Sequence, residues 1–254
     1  MLSHTIIALS KRVHAVSSQK TNWKHDIILH RLNKSDYIVT LMKKIGIDEA
    51  GKGDYFGYLV IAAVLVDEKE EAKLKEAGIK DSKMVSDVQV HKLARITKKM
   101  PNSVILISPE KYNVLHAKFK SLNNILAWGH ARALENLLEK YKADVAISDK
   151  FAEEKLLKSY LMEKGKKIKL IQKVNAESEM SVAAASILAR SEFLRTLRML
   201  GREIGQVLPK GSAHVKDAAK EIFAKHGEDG LKYVAKIHFK ITKQIKDEVK
   251  EKKT

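Results

Sequence analysis

Asp48 and Glu49 stand side by side in the stretch Gly46-Ile47-Asp48-Glu49-Ala50-Gly51-Lys52-Gly53-Asp54-Tyr55-Phe56-Gly57, between an apolar run and a glycine-containing turn. Adjacent like charges repel, so a carboxylate pair at a strand end implies something positive bound there. Hard oxygen ligands suit a divalent cation such as Mg²⁺ or Mn²⁺. Glycines at 51 and 53 let backbone N–H groups come close to a phosphate or sugar, because no Cβ intervenes. Asp-Glu beside Gly-Lys-Gly therefore points to a metal site touching a nucleic-acid backbone, against the plainer alternatives of a solvated acid pair and an ordinary tight turn. Two more acids fit the same chemistry. Asp149 follows the apolar Val145-Ala146-Ile147, where an acid either faces a cleft or opens the next helix as its N-cap. Glu177 precedes a long helix whose partly positive N-terminus favours a nearby anion. Glu179, two residues on, competes for that role.

Groups so far apart in sequence must be gathered by the fold, and the pattern from residue 44 onward is mixed α/β. Lys44–Gly51 is strand-like, and Leu59–Val66 is an apolar run suited to a buried strand. Val104–Ile107, Val145–Asp149 and Ile168–Ile171 read as further strands. Helical periodicity covers 121–141, 151–164 and 181–202, the last rich in small residues that let a helix lie close on a sheet. Two helices, near 214–226 and 229–247, follow the Leu208-Pro209-Lys210-Gly211 turn. Residues 1–43 differ in character. They hold four of the ten histidines and only two acids, with short strands expected at Ile6–Leu9 and Tyr37–Leu41.

The 254 residues carry 48 Lys+Arg against 31 Asp+Glu, a formal charge of +17 that attracts polyanions and makes nucleic acid the leading partner. Without cysteine there are no disulfides and no thiolate metal sites. No apolar run reaches the roughly 20 residues of a membrane span, and the N-terminus lacks the basic and apolar regions of a signal peptide. A cytoplasmic protein with no membrane partner is expected.

Residues 46–57 resemble the first signature of the type 2 ribonucleases H, and the Gly53-Asp54-Tyr55-Phe56-Gly57 continuation is more similar to ribonuclease HIII than to ribonuclease HII. Lys80–Lys83, Leu122–His130, Ser148–Ala152, Ala176–Ser178 and Val182–Arg190 match in the same order, so the resemblance runs from about residue 44 to about 245. It implies a ribonuclease H-like fold: a mixed sheet flanked by helices, a helical C-terminal part over 44–254, and a short basic extension over 1–43. That extension stands either as a reduced TATA-binding-protein-like substrate-binding domain or as strands patching the main one. The implied activity is endonucleolytic hydrolysis of the RNA strand of RNA/DNA hybrids by two metal ions, Mg²⁺ or Mn²⁺, leaving 3′-hydroxyl and 5′-phosphate ends, in a monomer. Asp48, Glu49, Asp149 and Glu177 match the family's metal-binding and catalytic acids. Gly51, Lys52 and Gly53 match its loop at the ribose 2′-hydroxyls, and Ser82, Lys83 and Lys210 fall where it meets substrate phosphates. Ribonuclease HII has a tyrosine after the Lys-Gly turn; Ser212 stands there, which favours longer RNA over a lone ribonucleotide in DNA, the activity of the alternative branch. Trp128, His130 and His214 read as packing or surface residues, with His214, just past the Lys-Gly turn, the one that also stands as a substrate neighbour.

Overall fold

The computed structural model describes residues 27–33, 36–79 and 85–251. The chain divides into two compact units, Met1–Met42 and Lys43–Thr254. In the first, β1 (Ile27–Asn33) and β2 (Asp36–Leu41) form an antiparallel hairpin with an irregularity between Arg31 and Asn33. The strand expected at Ile6–Leu9 lies outside the described residues.

The second unit is built on a five-stranded sheet. β3 (Lys44–Ala50) pairs antiparallel with β4 (Leu59–Val66), and β4 antiparallel with β5 (Asn102–Ile107). On the other side β3 runs parallel to β6 (Val145–Asp149), and β6 parallel to β7 (Lys169–Lys173), giving the order β5-β4-β3-β6-β7. The eight residues of β4 are all buried, as expected of a strand covered on both faces. Their alternation splits the core in two. Val60, Ala62, Val64 and Val66 pack with the helix Met180–Glu203, while Leu59, Ile61, Ala63 and Leu65 pack with Leu122–Leu138. Burying so much apolar surface is the main source of stability, at roughly 25 cal/mol per Å².

In chain order the helices are α1 (Glu68–Glu76), α2 (Asp87–Thr97), α3 (Pro109–Phe119), α4 (Leu122–Leu138), α5 (Glu154–Tyr160), α6 (Met180–Glu203), α7 (Lys216–Val234) and α8 (Lys240–Glu251). The first three stand where the sequence pattern assigns no element. They are set by their starts: Asp67 with Glu70 and Ser86 with Gln89 form capping boxes, and Ser108 caps α3 ahead of Pro109. α6 lies directly against β3. A Cβ on Gly46 would come within 2.0 Å of the Ser181 carbonyl carbon, so only glycine admits the helix there.

The α/β sheet flanked by helices, with a helical C-terminal part, is the architecture expected. Two elements differ. The helix expected over 151–164 shortens to α5: Leu161 is extended, and beyond it the Glu135 carboxylate accepts hydrogen bonds from the Lys164 and Gly165 amides. The helix expected over 229–247 is interrupted after Val234. Ala235 is extended and bridges to Phe56, and the Lys236 amide donates to the Tyr55 carbonyl. Tertiary pairing overrides helix propensity at that point.

Candidate active site

Side-chain alternation along β3 explains how two adjacent acids acquire different surroundings. Ile45 and Ile47 face α4, so Glu49 does too, and its Oε2 lies 2.9 Å from His130 Nε2 on that helix. Asp48 faces α6 and is hydrogen-bonded to Ser186 there. The parallel pairing of β3 with β6, with Ile47 opposite Ser148, brings the ends of the two strands together and Asp149 beside the pair. Ser148 faces α4 like Glu49 and meets His130 Nδ1 at 3.1 Å. Asp149 Oδ1 accepts the Ala176 amide at 3.1 Å, which ties the strand end to the single 3₁₀ turn Ala176–Ser178 carrying Glu177.

These acids line one cavity of about 360 Å³ together with Gly51, Lys52, Asp54, Ser186, Arg190, Phe193, Leu194 and Lys210. Glu179 is not among the lining residues; its Oε1 pairs with Lys173 Nζ at 2.5 Å. Burial, reinforced by the neighbouring Glu49 charge, raises the Asp48 carboxyl to about 7. Burial alone would raise Glu49 as well, but His130 and Lys52, whose Nζ lies 2.6 Å from Oε1, hold it well below the usual carboxylate range.

Among the described residues no three His, Asp or Glu side chains are grouped as an enclosed ion would require. Glu49 is turned onto His130 and Lys52, and Asp149 is engaged by the Ala176 amide. The donor chemistry nevertheless fits a hard divalent cation: only carboxylate oxygens are offered as charged ligands, and the repulsion felt by Asp48 is what a cation relieves.

Gly51 takes φ +87°, and a Cβ there would strike the Tyr58 carbonyl at 2.2 Å. Gly53 has no such constraint. Among the described residues a Cβ would meet nothing within 4 Å, and the residue is exposed outside the cavity lining. Lys52 and Lys210 are exposed at the cavity, Lys210 held on Asp87. Ser82 and Lys83 lie outside the described residues. Ser212 and His214 are exposed in the turn after Lys210. Three residues at the site carry no role in the sequence reading: His130, taken there as packing, Ser186 and Arg190. His130 is fully buried with both ring nitrogens engaged. The available signal was its place on a helix facing a strand that ends in an acid.

The family model described as Ribonuclease HII matches residues 45–242. Curated relatives named Ribonuclease HIII include one from Protochlamydia amoebophila, 43% identical over 80% of this chain and 68% of its own, and one from Chlamydia abortus, 45% identical over 82% and 71%. The chain belongs to the ribonuclease HIII family. Among solved structures, Bst-RNase HIII in complex with Mn²⁺ superposes with a TM-score of 0.77 at 32% identity, covering 83% of this chain and 71% of that one. The ribonuclease H2 of Pyrococcus horikoshii matches at TM-score 0.69 and 25% identity, over 82% and 98%. As a ribonuclease HIII family member, the chain is a metal-dependent ribonuclease H acting on the RNA of RNA/DNA hybrids. Among the described residues no helix is long and apolar enough to cross a membrane.

Proposed function

We propose that Asp48, Glu49, Asp149 and Glu177 are the catalytic, metal-holding acids of this ribonuclease, working with Mg²⁺ or Mn²⁺ as a two-metal phosphodiesterase that leaves 3′-hydroxyl and 5′-phosphate ends. The observation that carries this is the convergence of four acids from three separate elements on one cavity, with Lys52, Lys210 and Gly51 in its wall. Bound there, the divalent ions supply an activated water and neutralise the leaving oxygen. Everything else falls to the chain. His130 fixes the Glu49 carboxylate on one side and Ser186 holds Asp48 on the other. The Ala176 amide orients Asp149, and Lys52 balances the negative charge of Glu49. Gly51, Lys52 and Gly53 form the loop that meets the ribose 2′-hydroxyl, the one mark separating RNA from DNA. Ser82 and Lys83, with Lys210, bind flanking phosphates. A cytoplasmic monomer that uses residues 1–43 as a basic extension for substrate completes the assignment; light scattering reads the mass.

Asp149→Asn tests the acid assignment. Cleavage of an end-labelled 12-base RNA/DNA hybrid with Mg²⁺ or Mn²⁺ should fall by roughly a hundredfold or more, at unchanged melting temperature. Near-normal turnover would sink it. Duplex DNA holding one ribonucleotide should be cut more slowly than the hybrid, and equal cutting would remove Ser212 as the mark of the branch.

A further inference from the structure

Asp87, the first residue of α2, carries a cation on each carboxylate oxygen. Arg190 Nη2 lies 2.9 Å from Oδ1, and Lys210 Nζ lies 2.6 Å from Oδ2. Both cations line the catalytic cavity, whereas Asp87 does not. Two cationic side chains bridging two oxygens of one anion is also the way proteins hold a phosphodiester. We propose that Arg190 and Lys210 form a clamp for a backbone phosphate beside the scissile bond, and that Asp87 is a built-in stand-in which the phosphate displaces. This rests on the assignment of a nucleic-acid substrate to the same cavity.

Four features support the displacement. Asp87 and Lys210 keep 39% and 52% of their side chains exposed, and ion pairs so open to water contribute little net stability. Release of Asp87 from Lys210 therefore costs little. α2 also keeps its cap without Asp87, because Ser86 and Gln89 form the capping box. Both cations act on the one carboxylate: Lys210 and then Arg190 hold the Asp87 carboxyl below its usual range. Finally, Arg190 sits one turn along α6 from Ser186, the partner of Asp48, so the helix that fixes an active-site acid also fixes the clamp.

The test is Asp87→Asn in the full chain, with affinity for a 12-base-pair RNA/DNA hybrid and for duplex DNA of the same length measured by fluorescence anisotropy in EDTA. With the stand-in neutralised, Kd for both duplexes should fall about threefold to tenfold. The slope of log affinity against log salt should steepen by about one, because Lys210 then exchanges a solution anion for phosphate. A purely structural Asp87 would not steepen that slope. Lys210→Gln should weaken binding and erase most of the gain when combined with Asp87→Asn. Unchanged or weaker binding by the matched-melting Asp87→Asn variant, or full additivity in the double variant, overturns the clamp, as does a wild type that binds neither duplex. A wild type that binds both duplexes but cuts no hybrid would instead overturn the hydrolase assignment, with the clamp still readable in the DNA arm.

Discussion

His130 shows how much of this site is set by one buried ring. Its Nδ1 is engaged by Ser148 and its Nε2 by Glu49, so the carboxylate cannot swing without breaking a fixed chain of hydrogen bonds. Partners that orient a metal-holding group typically matter 10- to 100-fold. His130→Ala should therefore raise the Mn²⁺ concentration for half-maximal hybrid cleavage by about that factor, measured by metal titration, and His130→Gln should recover part of it. The two loop glycines make a sharper contrast. Gly51→Ala forces a Cβ onto the Tyr58 carbonyl at positive φ and should lower the melting temperature clearly. Gly53→Ala meets nothing within 4 Å among the described residues. It should leave the melting temperature alone while raising KM for the hybrid, and an unchanged KM would remove Gly53 from the substrate loop. The Asp48–Glu49 pair was legible because its oddity is local, and Asp149 because it ends an apolar run. His130 was not, since its significance lies in Glu49, 81 residues away.

Between elements, the junction that matters most joins the loop after β3 to the segment between α7 and α8. Lys236 is fully buried, and its Nζ donates to the Asp54 and Gly57 carbonyls at 2.9 and 2.7 Å. The Tyr55 hydroxyl and Thr242 are 3.0 Å apart, and the Gly211 amide donates to Asp54 Oδ1 at 2.6 Å. The glycine loop, the Lys210 turn and the C-terminal part are thus one assembly. Lys236→Met orphans the buried Gly57 carbonyl, at about 1–3 kcal/mol, and the partly buried Asp54 carbonyl, and should lower the melting temperature. Burial brings the Lys236 amine down to about 7 from an ordinary 10.5, and the neutral amine still offers two N–H donors to those two carbonyls. The unfolded chain therefore binds an extra proton between those values. The resulting loss of stability grows as pH falls from about 10.5 and is complete below about 7. Calorimetry should accordingly find the wild-type advantage over Lys236→Met larger at pH 9.5 than at pH 7. This junction also marks the limit of periodicity. Residues 229–247 carry a helical pattern, and only pairing with Phe56, far away in sequence, breaks it after Val234. The strands were easier, because β4 is apolar throughout and the acids of β3 and β6 fall at strand ends.

At the scale of the molecule, the unit Lys43–Thr254 contains the whole five-stranded sheet, both apolar clusters and all four acids. A chain starting at Lys43 should fold and cut the hybrid with Mn²⁺ at a similar kcat. Its KM should be higher if the basic first 42 residues help hold the substrate; an unchanged KM would make them dispensable for binding. A charge of +17 draws duplexes indiscriminately, so under the proposed assignment discrimination falls to the loop at 51–53 and its supports. Those supports are made late. Lys236 is synthesised 182 residues after Asp54, roughly ten to forty seconds later at bacterial elongation rates. Until then the sheet can assemble on the ribosome with its acids in place but its substrate loop unanchored. Order of synthesis thus leaves the loop after β3 without its Lys236 anchor until residue 236 has been added.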